Sequence, residues 1–124
     1  MEFSVGTDIV EIERIRGSVA RWGQRFSLRV LTNSEYDYCL SKANFLQSLA
    51  GRIACKEAVY KALYQLGISG LSWQDIVVEI GDGRAPSVRL SERASKAASG
   101  IQIAISISHN DKQAIAVAHA IRTE

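Results

Sequence analysis

Asp8 and Glu57 are the carboxylates whose surroundings point most directly to chemistry. Glu57 lies in Cys55-Lys56-Glu57-Ala58-Val59-Tyr60-Lys61, between two lysines, and Arg52 adds a cation just upstream. An acid among ammonium groups suits phosphate chemistry with a divalent cation: oxygen ligands hold a hard metal, and ammonium groups meet phosphate oxygens. Asp8, at the end of a strand, would offer a second carboxylate at the lip of a sheet. Both residues also have a plainer reading. Asp8 can cap a helix, and Glu57 can pair with Lys61 four residues on, for a few tenths of a kcal/mol. Spacing alone does not join residue 8 to residue 57.

The elements that must position these groups can be read from the pattern. Residues 3–9 have strand character. Asp8 with Glu11 three residues later resembles a capping box, which predicts a helix to about Arg21 with Gly23 as its stop. Thr32-Asn33-Ser34-Glu35 gives a second capping signal before a short helix. The longest helix is expected from about Asn44 to Leu66. There Ala54, Cys55, Ala58, Val59, Ala62 and Leu66 share one arc facing the core, and Glu57 and Lys61 share another face. Residues 75–80 form a β-branched strand, 81–86 a turn, and a short strand follows near Val88, then a small helix from Ser91. Residues 101–108 and 113–121 form a late hairpin closed by His109-Asn110-Asp111-Lys112. Gly81-Asp82-Gly83 precedes a strand, so it is not a phosphate-binding loop opening a helix. Early helices and a late hairpin predict an α+β fold: one small domain, 1–124, with an antiparallel sheet packed against helices.

Composition sets the outer limits. The chain has 124 residues, 47% hydrophobic and 23% charged, with nine glycines and one proline, which excludes disordered and collagen-like classes. A chain of this length buries about two-thirds of its surface on folding, enough for a core without staples. Two cysteines, Cys39 and Cys55, make neither a disulfide framework nor a four-thiolate metal site, so a reduced, cytoplasmic protein is expected. No apolar run reaches the length of a membrane span, and no secretory signal opens the chain. Fifteen basic and 13 acidic residues leave a net charge of +2, too balanced to imply nucleic acid. The distribution says more. Arg14, Arg16, Arg21, Arg25 and Arg29 follow one another without an intervening acid, as a solvated face or as a surface for an acidic partner.

Four collinear segments carry a family resemblance. Val5-Gly6-Thr7-Asp8-Ile9-Val10-Glu11-Ile12-Glu13-Arg14 resembles the first signature of the 4′-phosphopantetheinyl transferases. Ala50-Gly51-Arg52-Ile53-Ala54-Cys55-Lys56-Glu57-Ala58-Val59-Tyr60-Lys61-Ala62 resembles the second, centred on Lys-Glu-Ala and a following lysine. Arg25-Phe26-Ser27-Leu28-Arg29-Val30-Leu31-Thr32 and Ser106-Ile107-Ser108-His109 are similar to segments of the small bacterial members. The chain departs from the pattern at Thr7, at Ile53 and in the turn Gly83-Arg84-Ala85-Pro86, which carries an extra residue. No departure removes a charged position.

The resemblance implies transfer of the 4′-phosphopantetheine arm of coenzyme A to a serine of an apo acyl carrier protein. Adenosine 3′,5′-bisphosphate would leave, Mg²⁺ would be required, and the setting would be fatty acid biosynthesis. Asp8 and Glu57 match the metal-binding carboxylates, and Lys61 the phosphate-binding lysine; these three are the expected catalytic set. Lys56 and Arg52 are expected to add to phosphate binding. His109 falls near the family's adenine and 3′-phosphate contacts, or is simply a histidine in an exposed hairpin. Glu57, directly or through a metal-bound water, is the candidate acceptor of the serine proton. Arg14, Arg21 and Arg25 are expected to meet the acidic carrier on the first helix. The resemblance also implies a homotrimer with active sites between subunits. A non-catalytic coenzyme A or nucleotide-binding module of the same fold is the alternative, and intact Asp8, Glu57 and Lys61 argue against it. A basic nucleic-acid binder would rest on the arginines alone.

Overall fold

The computed structural model describes residues 1–80, 83 and 85–123. Strand β1 (Glu2–Glu11) leads into helices α1 (Ile12–Trp22), α2 (Gln24–Val30) and α3 (Asn33–Leu40), then into the long α4 (Phe45–Gln65). A 3₁₀ turn (Trp73–Asp75), β2 (Ile76–Glu79), β3 (Ser87–Leu90), α5 (Glu92–Ala97), β4 (Ile101–His109) and β5 (Gln113–Arg122) follow. The sheets are antiparallel, one ordered β1-β5-β4 and the other a β2-β3 pair. This is the expected α+β architecture. Among the described residues no helix is long and apolar enough to cross a membrane.

Small side chains bring α4 close to the three-stranded sheet. Ala114, Ala116, Ala118 and Ala120 of β5 are fully buried, as are Ala54, Ala58 and Ala62 of α4, and one core cluster joins the two elements. On β1 the same layer receives Ser4, whose Oγ donates to the Ala62 carbonyl at 2.6 Å, and Gly6. A Cβ at Gly6 would lie 1.9 Å from the Ala58 carbonyl oxygen and 2.8 Å from the Ala62 nitrogen. Only glycine lets the strand rest on the helix backbone. Side chains alternate along a strand, so Asp8 falls on the same side as Ser4 and Gly6, two residues further on. A second cluster, with Ile12, Ile15, Val30, Leu31, Leu49 and Ile53, ties α1 and α2 to the first half of α4. The opposite face of the sheet leaves Phe3, Val5, Ile9, Ile115 and Val117 exposed.

Two local expectations change. Asp8 is not a helix cap: β1 runs on to Glu11, which is the N-cap of α1 and makes no side-chain cap bond. The cause is tertiary pairing. β5 matches β1 from Glu2↔Arg122 to Glu11↔Gln113, and the Ile12 amide donates to the Lys112 carbonyl at 2.9 Å, so the helix starts only where the partner strand ends. The arginine segment is broken at Gly23, whose φ of 61° closes α1 and opens α2, so Arg25 and Arg29 sit on a separate helix. The turn expected at 81–86 includes Gly81, Asp82 and Arg84, which lie outside the described residues. The Thr32 capping box forms as read: Glu35 N donates to Thr32 Oγ1 at 3.3 Å, and Thr32 N donates to Glu35 Oε1 at 2.9 Å.

Candidate active site

The strand and helix that meet at Gly6 bring Asp8, Glu57 and Lys61 together. Lys61 Nζ donates to the Thr7 carbonyl at 2.9 Å and to Asp8 Oδ1 at 3.2 Å. Glu57 stands one helical turn earlier on α4, and Asp8 and Glu57 both line a cavity of about 720 Å³. Burial raises the Glu57 carboxyl above its ordinary value; the Asp8 charge raises it further, while Lys61 opposes both. The two carboxylates therefore feel each other across the cavity. Like charges so placed call for a cation between them. Two carboxylates without a third ligand suit Mg²⁺, which takes one or two acids and completes its shell with substrate phosphate and water. No cluster of three or more histidine, cysteine or acidic side chains able to cage a metal occurs among the described residues. The donor set fits the metal that the sequence implies.

Lys56 corrects the sequence reading. Its ammonium is about 1% exposed and donates to Glu35 Oε1 at 2.8 Å, to the Val30 carbonyl at 2.8 Å and to the Trp73 carbonyl at 3.0 Å. Three donors meet three acceptors, so none remains for a phosphate. Burial lowers its pKa, and Glu35 pulls it back up. Glu35 also accepts from the Val78 amide at 2.7 Å. The pair thus ties the end of α2, the start of α3, the 3₁₀ turn and β2 to α4. The sequence shows half of this: the pattern marks Glu35 as a cap, but nothing local pairs it with a lysine 21 positions away.

Arg52 and His109 line a different cavity, of about 450 Å³, with Tyr38, Lys42, Asn44 and Ile107. None of the residues around it also lines the Asp8–Glu57 cavity. The Arg52 guanidinium lies 4.5 Å above the Tyr38 ring, and its buried Nε has no hydrogen-bond partner among the described residues. Arg52 and Lys42 set two cations around this cavity, which suits an anion. Sequence reasoning missed Lys42 and Tyr38, because a lysine after a short helix carries no distinguishing pattern.

Arg14 lines the Asp8–Glu57 cavity, with Ser18 and Phe26. The same Ser18 and Phe26 also border a neighbouring groove of about 520 Å³ lined by Trp22, Arg25 and Arg29. Arg21 stacks over Trp22 at 5.0 Å. Arg16 is paired with Glu13 at 2.9 Å, whereas Arg14, Arg21, Arg25 and Arg29 form no ion pair among the described residues. A basic, partly aromatic trough thus leads to the two carboxylates. Trp73, which the sequence did not single out, lines that cavity and a smaller one of about 210 Å³ with Glu57, Tyr60 and Leu71.

Comparison with known proteins decides the family: the sequence model of the 4′-phosphopantetheinyl transferase superfamily matches residues 4–118. This chain belongs to that superfamily. It is 40% identical over 118 residues to the holo-[acyl-carrier-protein] synthase of Protochlamydia amoebophila, covering 95% of this chain and 97% of that one. The synonymous enzyme of Chlorobaculum tepidum is 44% identical over 114 residues, covering 92% and 94%. The crystal structure of Helicobacter pylori holo-[acyl-carrier-protein] synthase in complex with coenzyme A superposes with a TM-score of 0.78 at 40% identity, covering 92% of this chain and 96% of that one. That structure and this chain thus share one fold, which here carries Asp8 to Glu57.

Proposed function

We propose that this protein is a holo-[acyl-carrier-protein] synthase acting in the cytoplasm, a single transferase domain that moves 4′-phosphopantetheine from coenzyme A to a serine of an apo acyl carrier protein. The observation that carries this reading is the meeting of Asp8, Glu57 and Lys61 at the inner end of a basic trough. Asp8 and Glu57 would hold Mg²⁺, which would supply charge neutralisation at the pyrophosphate. Lys61 offers its ammonium to the phosphate oxygens, where charge develops as the bond breaks. The serine Oγ bonds to the β-phosphorus, the bond from that phosphorus to the bridging oxygen breaks, and adenosine 3′,5′-bisphosphate leaves with the electron pair. Glu57, directly or through a bound water, takes the serine proton. Arg14, Arg21 and Arg25 steer the acidic carrier so that its serine arrives beside Glu57.

Arg52, His109 and Lys42 bind the phosphates and adenine of coenzyme A in the second cavity, which shares no lining residue with the first. A homotrimer accounts for this division: a neighbour's Arg52 cavity completes the Asp8–Glu57 cavity. The exposed apolar sheet face, with Phe3, Val5, Ile9, Ile115 and Val117, supports such an assembly, since contiguous apolar surface of this kind marks an interface. The test is intact-mass measurement of an apo carrier after incubation with coenzyme A, Mg²⁺ and the protein. A gain of about 340 Da, one phosphopantetheine on serine, is expected. No gain on any carrier, with folded trimeric protein present, overturns the assignment.

A further inference from the structure

Lys61, read as a phosphate ligand, has its ammonium on one of the carboxylates that a metal would need. The bond to Asp8 Oδ1 is 3.2 Å, longer than the 2.9 Å bond from the same nitrogen to the Thr7 carbonyl. The Lys61 side chain is 49% exposed and that of Asp8 19%. One of three ammonium donors is therefore still open to solvent, and the side chain has room to swing. The Thr7 carbonyl fixes one donor to the β1 backbone, so the charge stays at the site when it leaves the acid. Asp8 and Glu57 line the same cavity, so their like charges repel unless a cation stands with them.

We infer that Lys61 is the built-in counter-cation of the carboxylate site: its ammonium neutralises Asp8 in the metal-free protein, competes there with an incoming divalent ion, and is handed to the phosphate when that ion takes the carboxylate. The inference rests on the reading of Asp8 and Glu57 as metal ligands. It implies that removing the lysine strengthens metal binding even as it removes a phosphate contact. A lysine out of contact with both carboxylates would have a weaker effect, since the repulsion falls with distance.

The experiment is Mn²⁺ binding to the full-length protein without coenzyme A, followed by the electron paramagnetic resonance signal of free Mn²⁺. Lys61→Met is expected to bind Mn²⁺ about two- to fivefold more tightly than the unaltered protein, the range a half-exposed ion pair supports. Lys61→Arg, which keeps the charge, is expected to match the unaltered protein. Lys61→Gln repeats the measurement should the methionine variant fold poorly by circular dichroism. Folded Lys61→Met and Lys61→Gln that bind Mn²⁺ no better than the unaltered protein, while Asp8→Asn and Glu57→Gln lose binding, overturn the competition. So does Lys61→Arg binding as tightly as Lys61→Met. Mn²⁺ binding unchanged in Asp8→Asn and Glu57→Gln, or absent from every variant, overturns the metal reading itself and the inference with it.

Discussion

Helix α4 carries two lysines, each paired with an acid, five residues apart and in opposite circumstances. Lys56 meets Glu35 with both side chains about 1% exposed, and backbone carbonyls occupy its other donors. Lys61 meets Asp8 at the rim of a cavity, half exposed, with one donor open. The first pair is enclosed by elements from four parts of the chain, so moving either partner strands a buried charge. The second can break and re-form in water at little cost. One helix thus separates an ion pair that holds the fold from one that is available for chemistry, and the difference lies in the neighbours rather than in the residue types.

The sharpest attack on this contrast exchanges each lysine for methionine. Lys56→Met is expected to cost about 3–5 kcal/mol of stability, because Glu35 is left charged and buried. Lys61→Met should cost under about 1 kcal/mol. Urea unfolding of the two variants measures both, and equal losses would erase the distinction. Next in size are the acids at the open end. Glu57→Gln and Asp8→Asn are each expected to lower transfer by about 10²–10³, the usual loss when electrostatic stabilisation is removed at a reacting centre. The double variant should be little worse than either single one, since both act through one ion. Turnover against Mg²⁺ concentration, with thermal unfolding as control, reads this out.

Asp75 sharpens the comparison as an intermediate case, a buried acid facing a surface arginine. Burial pushes its carboxyl up, but hydrogen bonds from Ser91, Ser72 and Arg93 outweigh that and hold it well below the usual carboxylate range. An acid depressed in the folded state contributes stability that is complete above the ordinary value of about 4 and is lost as pH falls toward the folded one. Asp75→Asn is therefore expected to cost about 1–3 kcal/mol at neutral pH. Its deficit should narrow as urea unfolding is repeated at lower pH. The smallest effect belongs to a cation with no acid at all. Arg25→Glu, in the groove beside the Asp8–Glu57 cavity, should slow carrier association about tenfold at low salt while sparing coenzyme A affinity, and the difference should shrink as salt is raised. Stopped-flow association at two ionic strengths checks it.

What the sequence made legible follows the reach of each signal. The Thr32–Glu35 cap and the alternating isoleucines of β4 are local patterns, and both appeared where read. The Asp8–Glu11 signal was equally local and misled, because ten paired residues of β5 outweigh one cap. Helical spacing puts Glu57 and Lys61 on one face, but Lys61 reaches Asp8 only because a strand 53 residues earlier in the chain crosses the helix. Lys56 was misjudged for the same reason. Its type and position suit a phosphate, and only the fold reveals three acceptors around it. The split between the Arg52 and Asp8 cavities had no trace in a sequence where all these residues fall within familiar motifs.

Gly6 gives the site a ruler. With no side chain between β1 and α4, the spacing of Asp8 from Glu57 is set by main chain against main chain, the stiffest gauge a protein has. Packed side chains can rearrange to absorb an error, but a carbonyl against a Cα cannot. Catalytic geometry off by roughly 1 Å loses about a hundredfold in rate. A residue with no functional group therefore calibrates the distance between two that have one, and a single methyl at position 6 would mis-set the instrument without touching either of its jaws.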